Sequence, residues 1–207
     1  MTPRRKIEGI DSTGILLEES AKFCKRVGLR KDLIEQIVRT DTDWAFILKV
    51  DALLETAAKH IVRHGLQIRL LTQVFKGEAL YDFIDSLSIN GRTSILSLLE
   101  ASGLPDEELR FVESIRVVRN AYAHNIKFAD LRLIELIKSR NDKSKLIKQI
   151  SNIGTYDEAD LIGRYEKDPG FLRFCIISAA MRFLFFAYHL TRKPASKRGR
   201  TVRSKKQ

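Results

Sequence analysis

Apolar residues recur every three to four positions along most of the chain, the spacing of helices that bury one face. Leu16, Leu17, Ala21, Cys24 and Val27 trace such a face over residues 15–28, and Gly28 ends it. Leu33, Ile34, Ile37 and Val38 mark a short helix over residues 31–38. The clearest stripe lies between Thr42 and His64, where Ile47, Val50, Leu54, Ala57 and Ile61 fall on one line. Asp41 or Asp43 is placed to cap its start, and Gly65 is expected to stop it. At 1.5 Å per residue this helix spans roughly 33 Å, one wall of a bundle.

Residues 66–89 are less regular, with a short helical region around Phe75 to Ile89, and Asn90-Gly91 is a turn signal. A short amphipathic helix is expected from Thr93 to Ala101, closed by Gly103. Pro105 followed by Asp106, Glu107 and Glu108 then starts a helix that runs to about His124, with acids at the positive end of its dipole. Residues 128–150 read as helix interrupted by Ser139 to Lys143, and Gly154 to Gly163 as a connector. Pro169 opens a last, nearly all-apolar helix from Phe171 to Leu190. No stretch alternates between apolar and polar, so the expected fold class is all-α.

The apolar run from Phe171 to Leu190 does not read as a membrane span. Arg173 and Arg182 leave no ten residues without a charge, against the ~18–20 a span requires. A helix apolar on nearly every side belongs in a core or at a subunit interface, so a homodimer is expected. With 207 residues, 44% hydrophobic and 30% charged, the chain has the composition of a globular protein. Two cysteines, Cys24 and Cys175, make no disulfide framework. No apolar run follows the basic N-terminal residues, as a secretory signal would need, and a cytoplasmic, reducing location is expected.

The net charge of +11 is unevenly placed. Eight Lys or Arg and no acid lie between Arg192 and Gln207, leaving +3 for the first 191 residues. The expected organisation is an N-terminal helical extension over 1–40, a bundle with C-terminal helices over 41–190 and a disordered basic tail over 191–207. The tail reads either as an electrostatic arm for nucleic acid or as a solubilising end.

Several chemistries leave no trace. There is no GxxxxGK[ST], no GxGxxG after a strand and no GxSxG, and no cofactor is expected. His60 and His64 share a helix face and could hold a metal, but they lack the HExxH pattern and sit where protonated histidine is favourable anyway; no metal site is assigned. The informative stretch is Ile115 to Asn125. With Ile115 as reference, Phe111, Val112, Val118 and Tyr122 define the apolar face, and Arg119 lies about 40° from its centre. A guanidinium there is costly to bury unless paired. It reads as a structural arginine or as a cation held ready for phosphate. Asn120 and His124 share the other face.

Arg119-Asn120-Ala121-Tyr122-Ala123-His124 resembles the Arg-x4-His motif of the HEPN superfamily, with a polar residue directly after the arginine. Gly103-Leu104, the acidic helix start and the run Ile115, Arg116, Arg119, Asn120, Ala123, His124 further resemble the mannitol operon repressor branch. The resemblance covers residues 43–126. It implies a bundle of four or five helices that dimerises with its two motifs meeting. Many members are metal-independent ribonucleases, often toxins or defence proteins; others are regulators or binding modules. By resemblance, Arg119 stabilises phosphate charge, Asn120 orients it and His124 transfers protons.

Two functions follow as expectations. The first is an RNA endonuclease, with RNA and a cognate antitoxin as partners. The second is a non-catalytic helical regulator or interaction module. Arg119 and His124 lie about 140° apart on one helix, so a single straight helix does not converge all three residues.

Overall fold

The computed structural model describes residues 12–70, 77–89, 91, 94–151 and 157–192. The basic tail beyond Arg192 lies outside the described residues, as do most of the irregular 66–76 region and parts of two connectors. Among the described residues all regular structure is helical, so the protein is all-α.

The helices are α1 (Ser12–Arg26), α2 (Leu33–Val38), α3 (Asp43–Leu70), α4 (Gly77–Ser86), α5 (Ile95–Glu100) and α6 (Asp106–His124). After a 3₁₀ turn at Ile126–Phe128 come α7 (Leu133–Lys138), α8 (Lys143–Ser151), α9 (Glu158–Lys167) and α10 (Pro169–Leu190). Gly28 (φ 77°) closes α1 and Gly103 (φ 81°) precedes α6, both in the left-handed region glycine tolerates best.

Two boundaries differ from the sequence pattern. Gly65 does not stop α3, which continues to Leu70. A glycine inside a helix costs only about 1 kcal/mol, and Gly65 is exposed with nothing pressing on it. Part of the expected connector 154–163 is α9. Acids in its first turn, Arg164 and Lys167 in its last, and buried Leu161 and Tyr165 support a helix that Gly163 does not interrupt.

The last helix is the axis of the fold. α1, α2, α3, α6, α8 and α9 all pack on α10, burying Leu172, Ile176, Ala180, Phe183, Leu184 and Ala187 among others. By length and composition α10 is apolar enough to cross a membrane, yet its apolar sides are met largely within the chain. α1 and α2 contribute Phe23, Cys24, Ile34 and Ile37 to this same core.

The two arginines that interrupt α10 each meet acids. Arg173 Nε donates to Asp43 Oδ1 at 2.6 Å, and its Nη atoms donate to the carbonyls of Thr40 (2.5 Å) and Asp41 (3.2 Å). The other Asp43 oxygen accepts from the backbone of Leu133 at 2.6 Å, so one carboxylate joins the starts of α3 and α7 to α10. Arg182 Nε lies 2.5 Å from Glu108 Oε1. Glu108 is 1% exposed, and its Oε2 has no hydrogen-bond partner among the described residues. Burial pushes the Glu108 carboxyl up from its ordinary value, against the pull of Arg182.

Removing one partner of a buried pair strands the other charge. Arg182→Ala is expected to cost about 3–5 kcal/mol in urea denaturation, whereas the double change Glu108→Leu with Arg182→Leu restores most of it. The folded state favours protonated Glu108, so that stabilisation is fully present below the usual value of 4.5 and is lost as pH rises through the raised one. The deficit of Arg182→Ala is accordingly smallest at acidic pH; a deficit independent of pH would contradict this account.

Candidate functional site

The site grows from the contact between α3 and α6. The two helices run antiparallel: Arg116 meets Asp51 and Glu55, while Tyr122, two turns later, feels the charge of Asp43 at the start of α3. α6 buries Phe111, Val112, Ile115, Val118 and Tyr122, the face expected from the pattern. Arg119 lies at the edge of that face rather than within it, its side chain 36% exposed.

A charge network crosses this contact. Asp51, whose side chain is 7% exposed, accepts a hydrogen bond from Arg116 Nη1 and lies 3.6 Å from Arg119 Nε. Glu55, one turn on, accepts from Arg116 Nη2 at 3.2 Å and pairs with Lys59 at 2.8 Å. Burial pushes the Asp51 carboxyl up, against the pull of Arg116 and Arg119. Burial acts likewise on Glu55, but the hydrogen bonds and charges of Lys59 and Arg116 outweigh it and hold that carboxyl below its ordinary value. Arg119 Nη1 also donates to Asn120 Oδ1 at 3.1 Å. Its guanidinium is thus braced by a carboxylate on one side and an amide oxygen on the other.

The structure brings together Arg119 and Asn120, and it adds Asp51. His124 is not part of this network. It is the last residue of α6, exposed, and its side chain makes no hydrogen bond or ion pair among the described residues. α6 is a continuous helix to that point, and Asn125 then turns extended (φ −142°) and caps the 3₁₀ turn through its side chain. The helix end is not distorted in a way that swings His124 towards Arg119. Asn120, one turn before His124, lies on the same side of α6 as His124 and accepts from Arg119.

Asp51 and Glu55 were not singled out from the sequence, and Arg116 only as one residue of the repressor-like run. The signal was a lone carboxylate in the apolar run Phe46 to Leu54, followed at four-residue spacing by Glu55 and Lys59. Arg116 is the more buried arginine, 17% exposed against 36% for Arg119.

The histidine pair on α3 sits elsewhere. His60 packs edge-on against Phe23 with ring centres 5.7 Å apart, and its Nε2 has no hydrogen-bond partner among the described residues. Burial lowers its pKa, and the charges of His64, Arg26 and Arg63 lower it further. That cationic setting is unfavourable for a metal ion. His189 packs on Phe185 with ring centres 4.3 Å apart and the rings tilted by 53°, and lies 3.6 Å from Glu19. Compared with known protein families, with characterised proteins and with solved structures, the chain matches none.

The two arginines of the network are expected to separate by stability. Arg116→Ala strands buried Asp51 and should cost about 3 kcal/mol. Arg119→Ala leaves Asp51 paired with Arg116 and should cost about 1 kcal/mol or less. Urea denaturation of the two variants measures both; equal losses would show Arg119 to be as structural as Arg116.

Proposed function

We propose that the protein is a metal-independent RNA endonuclease of HEPN type, in which Arg119, Asn120 and His124 act on a phosphodiester. What supports this is a half-exposed guanidinium braced by Asp51 and Asn120, with an exposed histidine about one and a half turns further along the same helix. A braced arginine presents its fork to a phosphate with little ordering cost. Imidazole is the side chain most often used as a general acid or base.

RNA carries its own nucleophile. The 2′-hydroxyl attacks the adjacent phosphorus and the bond to the 5′-oxygen breaks, leaving a 2′,3′-cyclic phosphate and a 5′-hydroxyl. His124 exchanges a proton with one of these oxygens, and Arg119 offsets the charge that develops on the phosphate. The angle of about 140° between them on α6 is met, in this proposal, by a homodimer whose two motifs face each other. A cognate antitoxin that covers the motif fits the same function.

A second reading is a non-catalytic regulator or interaction module. The observation in its favour is that Arg119 already has a carboxylate partner in Asp51, which offsets part of its charge.

Cleavage of single-stranded RNA in the presence of EDTA is expected, with a 2′,3′-cyclic phosphate end. His124→Ala should slow it roughly 100- to 10,000-fold, and Arg119→Lys should fail as well, because an ammonium ion lacks the bidentate fork. Both variants must keep the wild-type melting profile. If wild type cleaves no RNA, or folded His124→Ala cleaves as fast, the regulator reading replaces this one.

The tail is proposed as an electrostatic arm for the same RNA. Truncation after Thr191 should leave the melting temperature unchanged and reduce the log–log salt slope of RNA binding by about 0.7 for each phosphate that the tail neutralises. An unchanged slope would make the tail a solubilising end.

A further inference from the structure

We propose that Trp44 is a stacking platform for an unpaired base of the RNA whose phosphate lies at Arg119, so that the substrate is single-stranded; this rests on the function proposed above. Trp44 is the only tryptophan of the chain and the second residue of α3. Its side chain is 36% exposed, and its indole N–H makes no hydrogen bond among the described residues. A large aromatic ring left in water with its donor free has the amphipathic form that suits a ligand contact.

Its place on α3 ties it to the site. Seven residues separate Trp44 from Asp51, which brings the two within about 20° of each other around the helix and about 10 Å apart along it. Asp51 faces α6, since it meets Arg116 and Arg119 there. Trp44 therefore stands on the same edge, two turns towards the start of α3. The antiparallel run of α6 places its end, with Ala123 and His124, beside that start. Ala123 is exposed and lies within about 40° of Arg119 on α6. Ala123 adds only a methyl group to that edge of α6.

The edge thus carries, in order, an aromatic face, a small residue and a braced cation. That pairing of a stacking surface with a phosphate contact is how single-stranded nucleic acid is held without sequence reading. Bases of an A-form duplex are already stacked and paired, so the same edge discriminates against double-stranded RNA.

The sole tryptophan also reports on its own contact. The full-length protein is titrated with a 2′-O-methyl oligoadenylate, which lacks the attacking hydroxyl, and with an abasic oligomer of the same backbone. Indole fluorescence is followed beside the anisotropy of a labelled copy. Saturable quenching by oligoadenylate, with the midpoint seen by anisotropy, is expected; the abasic oligomer should bind roughly ten- to a hundredfold more weakly and not quench. Trp44→Ala should weaken oligoadenylate binding by a similar factor and leave abasic binding unchanged, whereas Trp44→Phe keeps most of the affinity and controls for folding. Unchanged fluorescence while anisotropy saturates would overturn the platform and leave the ribonuclease proposal standing. A duplex bound as tightly as the single strand, or fluorescence that shifts on dilution without RNA because a second copy covers the ring, would also overturn it. No binding to any probe would remove both proposals.

Discussion

The structure depends on two partly buried charge pairs made by its most apolar helix. Hydrophobic burial is non-directional, so a helix as uniformly apolar as α10 could slide or rotate among its neighbours at little cost. Arg173 and Arg182 prevent this. Nine residues apart, they project to opposite sides of α10, and each must find an acid. Arg173 finds Asp43 at the start of α3, and Arg182 finds Glu108 at the start of α6. The pairs contribute less to net stability than to register, since a charge stranded in the wrong position costs several kcal/mol.

The α3–α6 edge inherits that register. With both helix starts pinned to α10, Asp51 comes to lie opposite Arg116 and Arg119. The two arginines then divide the work. Arg116 compensates the buried carboxylate and is itself shielded. Arg119 shares that carboxylate at longer range and keeps part of its fork in solvent. A cation held this way has lost rotamer freedom before any ligand arrives, which lowers the ordering cost of binding a phosphate.

Periodicity made most helices legible, because α1, α2, α3 and α6 each bury one face against α10, and α5 buries one against α3 and α6. It failed where other physics decided. Gly65 and Gly163 are breakers by propensity, but each lies in a helix stabilised by buried neighbours such as Ile61 and Tyr165. For α10 the pattern was uninformative about partners, because a helix apolar on all sides says that it is covered and not by what. The motif Arg119, Asn120 and His124 was visible as a string. Its brace was not, since Asp51 lies 68 residues before Arg119 in the chain. Glu108 shares the apolar stripe of Ile115 by helical angle, a position at which a lone acid requires a distant cation.

The central place of α10 has a consequence for how the chain is made. α1 is synthesised early, yet its main packing partner follows some 160 residues later, as the contact of Arg26 with Tyr188 shows. At ~5–20 residues per second, Phe23 and Cys24 wait roughly 8 to 30 seconds for the surface that buries them. During that interval the nascent chain carries an amphipathic helix with its apolar side uncovered, a natural substrate for ribosome-associated chaperones. Mutations that slow the docking of α10 would then reduce yield in the cell before they lowered the stability of any molecule that had finished folding.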